Sequence, residues 1–147
     1  MATTVTSVSL TSTITESITL NGESFGNTNT KTTVTQGEVY QRIMSIATTE
    51  TTVLTFGTAD ASGTVVGDDM SYFRVTNLDD TNFVQISFKG AAKHYSVKLD
   101  PQDSYVIMSN QFNAEADTSI GSMEDLASFT AVANGTACDL EVFVVTT

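Results

Sequence analysis

Phe83-Val84-Gln85-Ile86-Ser87-Phe88 alternates apolar and polar side chains, and Tyr95-Ser96-Val97-Lys98-Leu99 repeats the pattern a few residues later. Successive side chains of a β-strand point to opposite faces, so a period of two marks a strand with one face buried. On this reading Val84, Ile86 and Phe88 point inward on the first strand, and Tyr95, Val97 and Leu99 on the second. His94, Ser96 and Lys98 point outward. Asp100-Pro101-Gln102-Asp103 follows as a turn, where the fixed φ of proline helps and its missing N–H does no harm.

The same grammar extends in both directions. Strands are expected over residues 38–48, 52–57, 70–77, 82–89, 93–99, 104–109, 128–133 and 138–146. Asn134-Gly135 reads as a hairpin turn joining the last two, and residues 58–69 as a loop containing Gly and Asp. Towards the N-terminus, residues 4–10 and 13–20 read as two strands, with Val8 and Leu10 sharing a face of the first, and Ile18 and Leu20 sharing a face of the second. Asn21-Gly22 then signals a type I′ turn, because both residues tolerate positive φ. Residues 23–36 read as a loop or extended arm. Only residues 122–126 look like a helix start, with Ser122 as N-cap and Asp125 three residues on, so at most one short helical turn is expected. Eight to ten short strands without helical crossovers predict an all-β fold, an antiparallel β-sandwich that is jelly-roll-like. Residues 1–147 make one domain, with 1–36 as an N-terminal hairpin or extended arm.

Threonine is unevenly distributed, with 18 of its 26 occurrences in residues 1–58, whereas 13 of the 17 acidic residues come after them. No Pro- or Gly-rich linker separates the two regions, so the imbalance marks a polar, β-branched N-terminal part and not a second domain. The net charge of −11 disfavours nucleic acid and anionic membranes as partners, because phosphate binding needs clustered Lys and Arg. Lys89, Lys93 and Lys98 form one small basic cluster, read as solubilising charge on an exposed strand face. No window approaches a membrane-spanning apolar run, and residues 1–4 lack the basic start of a secretory signal. The chain is expected to remain soluble in the cytosol where it is made.

The side chains that chemistry requires are scarce. A Ser–His–acid set would have to use His94, which sits on the outward side of a regular strand. A cupin-type metal site takes two or three histidines, and the chain has one. Cys138, between Thr136-Ala137 and Asp139-Leu140, reads as a small hydrophobe, since its neighbours are acidic and not basic. Asp68-Asp69 and Asp79-Asp80 read as turn acids, with no tryptophan to hold a sugar ring beside them. Residues 60–69 supply hard oxygen ligands, but their spacing matches no calcium loop. Asn134-Gly135-Thr136 matches a glycosylation sequon, and the turn itself accounts for it. No enzyme and no cofactor are expected.

One resemblance is carried by Met70-Ser71-Tyr72-Phe73-Arg74-Val75-Thr76-Asn77-Leu78-Asp79-Asp80-Thr81-Asn82-Phe83-Val84-Gln85-Ile86 and by Tyr95-Ser96-Val97-Lys98-Leu99-Asp100-Pro101-Gln102-Asp103-Ser104-Tyr105. This order of strand, Thr-Asn-Leu-Asp, two strands and Leu-x-Pro-x-x-Ser resembles the small β-sandwich decoration (cement) proteins of tailed-bacteriophage capsids. It covers residues 70–109, and the family pattern often has Gly where Gln102 follows the proline. The resemblance implies a non-enzymatic protein on the virion surface, often a trimer, that clamps subunits of the major capsid protein. Val5, Val8 and Leu10 are then the expected contact residues of an N-terminal arm. Tail, neck or fibre components and carbohydrate-binding jelly rolls are the alternatives.

Overall fold

The computed structural model describes residues 7–35, 38–59, 64–114 and 121–147, and among these every regular element is a β-strand. Two strands run outside the body of the molecule on the N-terminal side, β1 (Val8–Thr15) and β2 (Ile18–Leu20). They return as β3 (Glu23–Phe25) and β4 (Thr28–Thr35). The body holds β5 (Val39–Ile46), β6 (Thr51–Gly57), β7 (Thr64–Val66), β8 (Met70–Asn77), β9 (Val84–Lys89) and β10 (His94–Leu99). It continues with β11 (Ser104–Ile107), β12 (Gln111–Phe112), β13 (Glu124–Asp125), β14 (Ser128–Ala133) and β15 (Cys138–Thr146).

Two sheets build the body, one ordered β10-β9-β14-β6-β7 and the other β11-β8-β15-β5. The antiparallel pairs β5–β15, β6–β14, β8–β11 and β9–β10 nest inside one another around the turn at residues 90–93. That nesting, a long hairpin wound into two layers, is jelly-roll topology. The fold is therefore the expected all-β sandwich, with β7 added in parallel at the edge of β6.

The inward residues follow the alternation. Val84, Ile86 and Phe88 are fully buried, Leu99 nearly so, and Tyr95 and Val97 are half-buried and packed against the core. Phe73 from one sheet meets Phe88 and Phe129 from the other at centroid distances of 5.4 and 4.9 Å, both edge-on. These rings close the space between layers with the favoured aromatic geometry. Tyr40 and Tyr72 are both half-buried. Tyr40 packs against the core, and Tyr72 sits edge-on to Phe143 at 6.0 Å.

Five local readings differ. Residues 23–36, read as a loop or extended arm, hold β3 and β4. Residues 122–126 hold no helical turn: β13 pairs with β12, because the carboxylates of Glu124 and Asp125 find partners on other segments. Glu124 accepts from the Lys93 amide at 2.9 Å, and Asp125 from the Gln111 side chain at 2.7 Å. The loop expected over 58–69 contains β7, with 60–63 lying outside the described residues. Asn134-Gly135 does not close a hairpin, since β14 and β15 belong to different sheets and the turn carries the chain from one layer to the other. Finally, the break expected between 10 and 13 is absent. β1 runs through it, and the irregularity falls instead at Glu16-Ser17, opposite Gly26-Asn27.

Asn77 has a role its sequence context did not announce. It is fully buried at the end of β8, where its side-chain amide donates to the carbonyls of Asn82 (2.9 Å), Leu99 (3.2 Å) and Asp100 (3.2 Å). Its oxygen accepts from the Asp79 amide at 3.1 Å. One side chain thus ties the β8–β9 loop to the turn after β10.

Candidate functional site

The N-terminal strands form one continuous hairpin. Pairing runs without slip from Val8↔Thr35 through Thr15↔Thr28 and on to Ile18↔Phe25 and Leu20↔Glu23. At the tip Asn21 and Gly22 have φ of 52° and 85°, the two left-handed residues that a type I′ turn requires. Gly26 is needed for a different reason: a Cβ there would sit 2.0 Å from the Glu16 carbonyl oxygen, and its φ is 131°. Twelve residue steps from Val8 to Leu20 make an arm about 40 Å long at roughly 3.3 Å each.

The two faces of this arm differ in chemistry. Thr11, Thr13 and Thr15 stand opposite Thr32, Thr30 and Thr28, with hydroxyl oxygens 3.3–3.5 Å apart. Such cross-strand pairs of β-branched residues hold a hairpin together locally. By register, the other face carries Leu10, Ile14, Ile18, Leu20 and Phe25. Ile14 is 50% exposed, Ile18 61%, Leu20 58% and Phe25 55%, so this apolar stripe lies open to solvent. A two-stranded ribbon with no sheet or core behind it is of marginal stability in water.

Of the residues expected to make contacts, Val5 lies outside the described residues. Val8 and Leu10 sit at the root of the arm on β1, Leu10 half-buried. The more exposed apolar residues, Ile14, Ile18, Leu20 and Phe25, are nearer the tip. They were legible: the two-residue turn fixes the register, and alternation then carries one face through all of them.

A second surface is the outer side of the β11-β8-β15-β5 sheet. Val39 and Ile43 on the edge strand β5 are 55% and 60% exposed, and Val106 on β11 is exposed as well. Among them Arg74 pairs with Glu141 at 2.8 Å, and Gln41 donates to the same carboxyl group at 2.8 Å. The Gln41 amide and then Arg74 hold the Glu141 carboxyl below its ordinary range. Thr35 of the arm and Val39 of β5 are close in the chain, so the arm is rooted beside this surface.

The outer side of the other sheet bears an open polar groove of about 390 Å³, lined by Glu50, Ser87, Lys89, His94, Ser96 and Thr130 among others. Glu50 pairs with Lys89 and accepts from the Thr130 hydroxyl at 2.7 Å, and these two contacts lower its pKa in that order. Ser87 and Ser96 hydrogen-bond to each other. His94 stands opposite Lys89 in the ladder, and among the described residues it makes no hydrogen bond to either serine. The Lys89, Lys93 and Lys98 cluster is likewise internally engaged: Lys89 with Glu50, Lys93 with Asn113 and the Ser122 carbonyl, Lys98 with Asp100.

The turn acids do structural work. Asp79 accepts from the amides of Asn82 (2.6 Å) and Thr81 (2.8 Å), which hold its carboxyl below the usual range. Asp80 accepts from the Thr81 hydroxyl. Cys138 is buried, and burial followed by the nearby Asp79 pushes its thiol pKa up. Among the described residues no three His, Cys, Asp or Glu side chains converge as a metal site. No described helix is long and apolar enough to cross a membrane.

No protein-family model matches the chain, and no curated protein matches it either.

Proposed function

We propose that this chain is a non-enzymatic virion structural protein, a capsid decoration protein that binds the outside of the major capsid lattice and stabilises it. The observation that carries the reading is the arm: a hairpin exposed on both faces, with an apolar stripe, projecting from a body that has its own buried core. A protein that performs chemistry in a cleft has no use for such an element, whereas one that assembles does. The groove chemistry supports the same class. Its serines bond each other, its carboxylate is neutralised by a lysine, and its histidine is linked to neither.

The choice of a capsid, within assembly proteins generally, rests on the resemblance carried by residues 70–109, which also implies trimers on the assembled capsid and the major capsid protein as partner. Contacts repeated over a lattice engage together, so weak individual contacts suffice for firm attachment. The acidic outer skin, with a net charge of −11, keeps free copies soluble and apart until they meet that surface. A glycan-binding role needs aromatic platforms, and the polar groove is lined by none.

Purified virions carrying this chain test the proposal. The expected result is hundreds of copies per particle, spread over the capsid lattice in immunogold images. Deleting residues 1–37 should leave a folded body that no longer binds stripped particles. Label confined to one vertex or to the tail would instead favour a tail, neck or fibre component. Absence from particles would refute both.

A further inference from the structure

We propose that the apolar face of the arm is covered by the arm of a second copy of this chain, the two hairpins stacked face to face and antiparallel about a two-fold axis at the level of Glu16. The inference concerns the free protein and does not depend on the virion reading.

The alternation itself calls for a cover. One face is almost wholly hydroxyl, whereas the other gathers the large apolar side chains Leu10, Ile14, Ile18, Leu20 and Phe25 among polar ones, and such a two-sided ribbon is suited to burial on one side. Yet Ile14, Ile18, Leu20 and Phe25 are all at least half exposed in the single chain. Charge selects what covers them. The arm carries Glu16, Glu23 and Lys31, a net of −1, so −10 of the chain's −11 lies elsewhere. Another arm is a near-neutral, amphipathic surface whose length and charge spacing match this face. Two bodies pressed together would meet strong repulsion, but bodies at opposite ends of a 40 Å arm pair sit several Debye lengths apart, each about 8–10 Å.

The charges on the apolar face also fix a register. Lys31 lies opposite Ser12 in the ladder, and Glu23 opposite Leu20. Within one arm they are about 26 Å apart, eight steps of roughly 3.3 Å, too far to pair. A two-fold at Glu16 brings Lys31 of each copy over the partner's Glu23, twice by symmetry. It also sets Ile14 over the partner's Ile18, again twice. Glu16 meets the partner's Glu16 on the axis, a like-charge contact that weakens the pair. The overlap runs from the level of Ser12 to that of Leu20 with the turn beyond, about 30 Å, so with two strands about 4.8 Å apart each arm contributes a face of about 300 Å² and the interface totals roughly 600 Å². That is the size of a weak, reversible association, and the expected dissociation constant is on the order of 100 µM.

Sedimentation velocity of the full chain over about 5–500 µM tests the idea. A reversible monomer–dimer equilibrium is expected. Ile18→Asp should weaken it at least about thirtyfold without changing the melting temperature of the body. Lys31→Glu alone should weaken it several-fold, and Lys31→Glu with Glu23→Lys should restore it. Glu16→Gln should tighten it. A monomer at all concentrations, a trimer, a dimer indifferent to the arm substitutions, or a double charge swap no better than the single one would each overturn the proposal.

Discussion

Replacing Asn77 with alanine removes one small side chain and unties two loops. The residue is fully buried, and its two N–H groups serve three carbonyls, those of Asn82, Leu99 and Asp100, while its oxygen holds the Asp79 amide. A net hydrogen bond in a protein contributes about 1 kcal/mol, and an orphaned buried polar group costs about 1–3 kcal/mol. The Leu99 carbonyl bond is buried, whereas those to Asn82 and Asp100 are reached in part by solvent, so water recovers some of the loss. The expected cost is about 3 kcal/mol. For a chain of this size that lowers the melting temperature by about 6–12 °C, read by calorimetry or by circular dichroism.

Asn77→Asp sharpens the test. The new carboxylate keeps the shape but turns a donor into a negative charge facing three carbonyl oxygens, at a buried position. Desolvation and those oxygens would raise its folded-state pKa above the unfolded value of about 3.9. The sign follows: the penalty is fully present above the folded-state value and shrinks as pH falls through it, whereas alanine's deficit is independent of pH. Melting curves for both variants, each taken as a difference from the parent between pH 7 and 4, should therefore converge only for the aspartate. A loss under about 1 kcal/mol for Asn77→Ala, or parallel pH profiles for the two variants, would refute the claim that this amide pins the loops.

Gln102 has φ of 63° as the third residue of the Asp100–Asp103 turn, where the Asp103 amide donates to the Asp100 carbonyl at 3.1 Å. Proline followed by a left-handed residue makes a type II turn, so Gln102→Gly should raise stability by about 0.5–1 kcal/mol, or about 1–4 °C, and a lowered melting temperature would count against it. Gly26→Ala should open the arm at Glu16 while leaving the body intact. Limited proteolysis should then cut faster between residues 8 and 35, and a body melting temperature lowered by more than about 3 °C, roughly 1 kcal/mol, would show that arm and body are coupled. Asp79, Glu50 and Glu141 all have depressed folded-state pKa values. Their stabilising contributions are present above the ordinary carboxylate range and lost as pH falls through the folded values, so stability should drop below about pH 4. Asp79→Asn should flatten that drop, and an unchanged slope would remove Asp79 as a contributor.

The parts of this fold that were legible in the sequence are those with one face in the core. β8, β9, β10 and β15 show their inward residues by alternation because burial on one side imposes a period of two. What was missed follows from the same cause. β4, Thr-Asn-Thr-Lys-Thr-Thr-Val-Thr, is exposed from Thr28 to Thr32, so nothing in the hydropathy of that run separates strand from loop. β7 pairs in parallel over three residues, too short for a period to register. Ser122-Met123-Glu124-Asp125 has the residue order of a helix start, but Glu124 caps the β9–β10 turn from a distance, and no local pattern encodes that. Asn134-Gly135 announces a reversal of the chain and is silent on which sheet receives it. For the contact surface, Val8 and Leu10 were read from one short run. Ile14, Ile18, Leu20 and Phe25 emerge only once the Asn21-Gly22 turn is used to align both strands.

The uneven threonine content has a physical explanation in the arm. A ribbon without a core behind it receives almost nothing from burial, so its strands must be held by what each residue contributes locally. β-branched side chains favour extended backbone, and facing threonines add methyl contact and a hydroxyl pair across the strands. The ladder of Thr11, Thr13 and Thr15 against Thr32, Thr30 and Thr28 supplies both. Acidic residues do the opposite in such a place, lowering strand propensity and repelling any second acidic surface. They are concentrated instead in the body, where the aromatic core of Phe73, Phe88 and Phe129 tolerates a charged skin. Two stretches of one chain therefore meet different demands with different residues: a body that folds by burying its interior, and an arm that holds its shape by local pairing and keeps one apolar face for whatever it joins.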